Sequence, residues 1–160
     1  MRIFSLMLLC LLSSACTTTR EPAESPIEIV EITPRYIEAE TFKRISEYMT
    51  GRENSGRRVI IRTNPKQRSG YYFVLILDRN VRRLPSDAYL IGEFYTSKSR
   101  DVQTHQFQFP SIPPSTREVF IGLTGDDQPP EGEIPTAWRF TIKNSQEAIL
   151  AQKKSYLWSL

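Results

Sequence analysis

The chain has 160 residues, with 21 Lys and Arg against 18 Asp and Glu, a formal charge of +3, one histidine and two cysteines. That length is one domain's worth and enough to bury a real core. Two cysteines and one histidine exclude a disulfide-dense scaffold and a zinc site built from several thiolates or imidazoles, so stability has to come from apolar burial.

At the N-terminus Arg2 precedes the apolar run Ile3 to Leu12 (IFSLMLLCLL), which is followed by Ser13, Ser14, Ala15 and Cys16. A positive end, a short apolar stretch and a small-residue cleavage site read as a signal peptide over residues 1–15. The run is about half the roughly 20 residues that a helical span needs, which makes a permanent transmembrane helix the weaker reading. Ser13-Ser14-Ala15-Cys16, with Leu11 and Leu12 just upstream, resembles the lipobox of bacterial lipoproteins. The resemblance covers residues 1–16. It implies that the Cys16 thiol receives a diacylglycerol, that the chain is cut before it, and that the new amino group is acylated, in that family commonly with palmitate. One acyl chain gives marginal membrane binding and two or more give stable anchoring. Thr17 stands where Asp resembles the inner-membrane retention signal of Gram-negative lipoproteins, so the expected location is the outer membrane. Cys10 would leave with the signal peptide and the Cys16 sulfur would carry lipid, leaving no thiol for the folded part.

Residues 16–26 (CTTTREPAESP) are polar and proline-containing, as suits a flexible tether. A single domain is expected over 27–160. Ile27 to Thr33 (IEIVEIT) is a candidate strand, with Pro34 expected to end it because proline cannot donate to a ladder. AETFKRISEYMTG sets Phe42, Ile45 and Met49 at helical spacing, with Gly51 at the C-terminal cap position, which predicts one short helix. Strands are then predicted from Arg57, Tyr71, Ala88, Asp101, Arg117, Thr136 and Ala148, separated by turn-rich segments such as NPKQRSG and GDDQPPEGEIP. Tyr71 to Leu77 is nearly all apolar and predicts a central strand covered on both faces. In TAWRFTIK, Trp138, Phe140 and Ile142 alternate with polar residues and predict one buried face. Seven to eight strands without a long crossover helix predict an antiparallel β-sandwich, immunoglobulin-like or transthyretin-like.

The chemistry-bearing residues are sparse. His105 shares a strand face with Phe107 and Phe109, and no Gly-x-Ser-x-Gly elbow supplies a nucleophile, so it reads as structural. Asp126-Asp127 and Glu131-Glu133 lie in one loop that is read first as solvated, because neither calcium-loop spacing nor a rigid carboxylate pair is evident. No catalytic residue, metal ligand or cofactor is therefore expected. Charge is uneven: residues 35–100 hold 14 basic and 7 acidic residues, residues 101–160 only 5 and 7. Arg57, Arg58, Arg62, Lys66 and Arg68 are the candidate binding residues, because loops at one end of a sandwich cluster in space. The expected role is a membrane-anchored binding or scaffolding module for an envelope protein or an anionic cell-wall polymer, with no nucleic-acid partner. Two alternatives stay open: a surface glycan hydrolase using Asp126 and Asp127, and a carrier of an apolar ligand.

Overall fold

The computed structural model describes residues 26–99 and 101–159. The expected signal peptide, Cys16 and the expected tether as far as residue 25 lie outside the described residues. Eight strands form two four-stranded sheets among the described residues: β1 (Ile29–Ile37), β2 (Val59–Arg62), β3 (Gly70–Leu77), β4 (Tyr89–Tyr95), β5 (Gln103–Gln108), β6 (Glu118–Thr124), β7 (Ala137–Lys143) and β8 (Ile149–Lys154). The first sheet runs β1-β3-β6-β2 and the second β5-β4-β7-β8. Pairing is antiparallel except between β2 and β6, which are parallel.

That parallel pair departs from the expected all-antiparallel arrangement, and the connection explains it. β1 and β2 occupy opposite edges and run the same way, so residues 38–58 must cross the outer face of the sheet. They do so with two short helices, α1 (Ala39–Phe42) and α2 (Ile45–Thr50). The single expected helix is thus broken at Lys43 and Arg44, which are extended. Phe42 turns down onto the sheet, whereas Ile45 and Met49 point to solvent. Gly51 takes the left-handed conformation at the end of α2 (φ 65°), as its position at the cap requires.

β1 also runs on through Pro34, which pairs in register with Phe73. An edge strand has a side that needs no donor, so proline is tolerated there. β3 is the interior strand its composition predicts. Tyr71, Phe73, Leu75 and Leu77 face the second sheet, while Tyr72 and Val74 face the crossover.

The core between the sheets is packed with rings. Phe73 lies 5.1 Å from Phe94 and 5.2 Å from Phe140, and Phe94 lies 5.4 Å from Phe140, in tilted or edge-on geometry. All three are fully buried, together with Leu75, Leu77, Leu90, Ile121 and Ile142. Each such side chain contributes about 1.5–3 kcal/mol from transfer out of water. A second, smaller core on the outer face of the first sheet joins Ile37, Phe42, Tyr72, Val74 and Phe120. No helix among the described residues is long and apolar enough to cross a membrane.

Candidate binding surface

The crossover and the 63–69 loop carry four of the five candidate binding residues, and strand β2 carries Arg62 between them. The structure divides the five into two groups. Arg62 and Arg68 turn inward. The Arg62 guanidinium lies 2.7 Å from Glu53, donates through Nε to the Tyr72 hydroxyl at 2.8 Å, and sits 5.3 Å over the Phe42 ring. Tyr72 in turn donates to the Arg68 carbonyl at 2.6 Å. Arg68 pairs with Glu47 at 2.5 Å and, more loosely, with Glu53 at 3.5 Å.

Burial works against the Arg62 cation, but the bonds to Glu53 and Tyr72 outweigh it and hold its pKa above the ordinary value. The Asn54 backbone N–H, bonded to Glu47 at 3.0 Å, and the Arg68 side chain keep the Glu47 carboxyl below the usual range. Desolvation raises the Tyr72 phenol against the pull of Arg62, so it stays protonated and keeps its donor. The network is therefore a clamp that fastens α2 and the 52–54 turn to β2 and β3.

Arg57 and Lys66 are exposed, and Arg58 is half-buried with its guanidinium 5.7 Å over Phe120. Arg44 and Arg52 are exposed beside them, and the Arg44 guanidinium lies against Gly56, where an added Cβ would meet it at 2.3 Å. Among the described residues none of these five cations has a carboxylate oxygen within 4.0 Å. Three local acids pair with other cations, Glu40 with Lys43 and Glu47 and Glu53 with the two inward arginines, while Glu38 is exposed and accepts from Ser69. Five cations without a carboxylate partner outnumber the exposed acids of this segment and give it a positive potential toward solvent.

Sequence reasoning missed the exposed face of α2. Ile45, Tyr48 and Met49 are 85%, 73% and 85% exposed. At 100° per residue they share one side of the helix, and Glu47 occupies the opposite side. The segment offers two opposed faces, one acidic and one apolar, and only the clamp decides which of them turns inward.

An open groove of about 780 Å³ lies between the end of β1 and the 128–134 loop, lined by Arg35, Tyr36, Tyr71, Glu131, Glu133 and Ile134 among others. Asp126 and Asp127 do not line it. Asp127 instead faces His105, whose Nε2 is 3.9 Å from its carboxylate, and the Asp126 carbonyl accepts from Lys98 at 2.5 Å. His105 lies between the rings of Phe94 and Phe107, about 6 Å from each, on the inward face expected for it. No group of three or more His, Cys, Asp or Glu converges among the described residues. No family model, curated protein or solved structure matches the chain.

Proposed function

We propose that this protein is a lipid-anchored, non-catalytic binding module of the cell envelope, held through Cys16 at the outer membrane of a Gram-negative bacterium. In this reading its two sheets form a sandwich of the immunoglobulin-like or transthyretin-like kind, and it acts by holding a recognition surface within reach of an anionic partner. The observation that carries the binding assignment is the set of five exposed or half-exposed cations, Arg44, Arg52, Arg57, Arg58 and Lys66, none of which has a carboxylate oxygen within 4.0 Å among the described residues. Anchoring adds to this by raising the local concentration of anything within tether range.

The alternatives draw less support. A glycosidase-type proton donor needs a carboxyl with a raised pKa. Where this fold shifts a carboxyl it shifts it down, at Glu47, Asp78, Asp87 and Glu147. An apolar carrier needs a hollow between the sheets, and that space holds Phe73, Phe94 and Phe140.

Crosslinking in intact cells followed by mass spectrometry tests both halves of the reading. Diacylglycerol-modified Cys16 and crosslinks from the 43–68 segment are expected. The triple substitution Arg57→Ser, Arg58→Ser, Lys66→Ser is expected to remove those crosslinks, since it leaves the Arg62 and Arg68 clamp in place. Unchanged recovery would end the assignment of this surface, and an unmodified Cys16 would end the anchored reading.

A further inference from the structure

The apolar face of α2 is held outward by construction. Glu47 is 8% exposed at its side chain, and Arg68 and the Asn54 N–H fix it from two directions. With Glu47 turned in, Ile45, Tyr48 and Met49 must turn out, and the fold leaves all three uncovered. Arg44 precedes the helix and Arg52 follows Gly51, so a cation stands at each end of the apolar face, with Arg57 and Arg58 nearby.

We propose that α2 is a membrane-interface element: Ile45, Tyr48 and Met49 enter the headgroup and upper acyl region of the bilayer while Arg44 and Arg52 contact lipid phosphates. This rests on the anchored reading above and names the partner of its cationic surface. Apolar residues at the centre and basic residues at the rim are what an interfacial helix needs. An anionic polymer would use the cations and leave the three apolar side chains in water. Tyrosine suits the boundary because one end is apolar and the other wet.

The reach is sufficient. β1 leads from the tether to the crossover, and its nine residues span about 30 Å. Cys16 to Pro26 extends to about 33–36 Å at most. A chain fixed at Cys16 therefore has enough length to fold back and set α2 on the bilayer that holds the anchor. The single contact is weak alone, and the anchor makes it an intramolecular event.

The test uses the lipidated protein with Met49→Cys, purified from membranes, spin-labelled and reconstituted into vesicles of phosphatidylglycerol and phosphatidylethanolamine. A Gln152→Cys variant, exposed on β8, gives the aqueous reference. The label at position 49 is expected to collide with oxygen at least several-fold more than with a water-soluble nickel chelate, and the label at position 152 to show the reverse. In phosphatidylcholine vesicles, or with Arg44→Glu and Arg52→Glu together, the position-49 preference should fall toward the reference. A water-exposed label at position 49 on vesicle-bound protein would overturn the proposal, whether a protein, a polymer or nothing then covers the face. Immersion that ignores both headgroup charge and the arginine substitutions would overturn the role given to Arg44 and Arg52. Failure of the anchor is separately visible: an unlipidated Cys16 would take a second label, seen in the mass.

Discussion

Tyr72 links the second core to the clamp beneath the cationic surface. Its ring packs 4.9 Å from Phe42, and its hydroxyl accepts from Arg62 and donates to the Arg68 carbonyl. Tyr72→Phe keeps the packing and strands both partners, so unfolding in urea should show a loss of about 1–3 kcal/mol. Gly122 is the reason that ring fits, because a Cβ there would stand 2.5 Å from Tyr72 Cε1. Gly122→Ala should destabilise by about 1–3 kcal/mol through displacement of the ring, and Tyr72→Ala in the same chain should relieve the clash. Glu47, Asp78, Asp87 and Glu147 are all held below the usual carboxyl range, which gives the fold an acid limit. Glu47 is held below its ordinary 4.5 by the Asn54 N–H and Arg68, and Asp78 is lowered from 3.8 to about 2, first by its bonds to Arg79. Groups with depressed pKa values stabilise fully above their unfolded values and lose that contribution as pH falls through the folded ones. Thermal stability should therefore hold down to about pH 4.5 and decline from there toward pH 2, with amide exchange rising in residues 45–54 among the earliest changes.

At the scale of elements, β1 and the crossover show where local sequence stops deciding. The composition from Ile27 predicts a strand, and proline chemistry predicts its end at Pro34; the strand continues because β1 lies at the sheet edge, where one side of the strand needs no donor. The same residue guards that edge. Pro34→Val restores an N–H to an unpaired side and is expected to increase self-association in sedimentation velocity while leaving the unfolding midpoint nearly unchanged. For the helix, spacing placed Phe42, Ile45 and Met49 on one face. Phe42 found the second core, and the pull of Arg68 on Glu47 rotated α2 so that the other two face water. Neither partner of that ion pair is near the other in sequence, so no pattern within the helix could reveal it. Of the five candidate binding residues, Arg57, Arg58 and Lys66 remain at the surface, while Arg62 and Arg68 serve the clamp.

Across the whole molecule, stability is concentrated in the ring cluster that joins the two sheets. Phe73 touches Tyr71, Phe94, Trp138 and Phe140. Phe73→Ala should cost about 3–5 kcal/mol by chemical denaturation, enough to unfold a marginal domain. The strand count, the burial of Tyr71 to Leu77 and the inward face of Phe140 and Ile142 were all legible beforehand, because period-two apolar patterning and turn residues are local properties of the chain. The chain alone also determined its charge asymmetry and the absence of cysteine after position 16. Tertiary structure alone decided the parallel β2–β6 pair, the inward fate of Arg62 and Arg68 and the outward face of α2. Those outcomes follow from contacts between residues far apart in the chain, where a buried carboxylate such as Glu47 must find a cation regardless of what its neighbours would prefer.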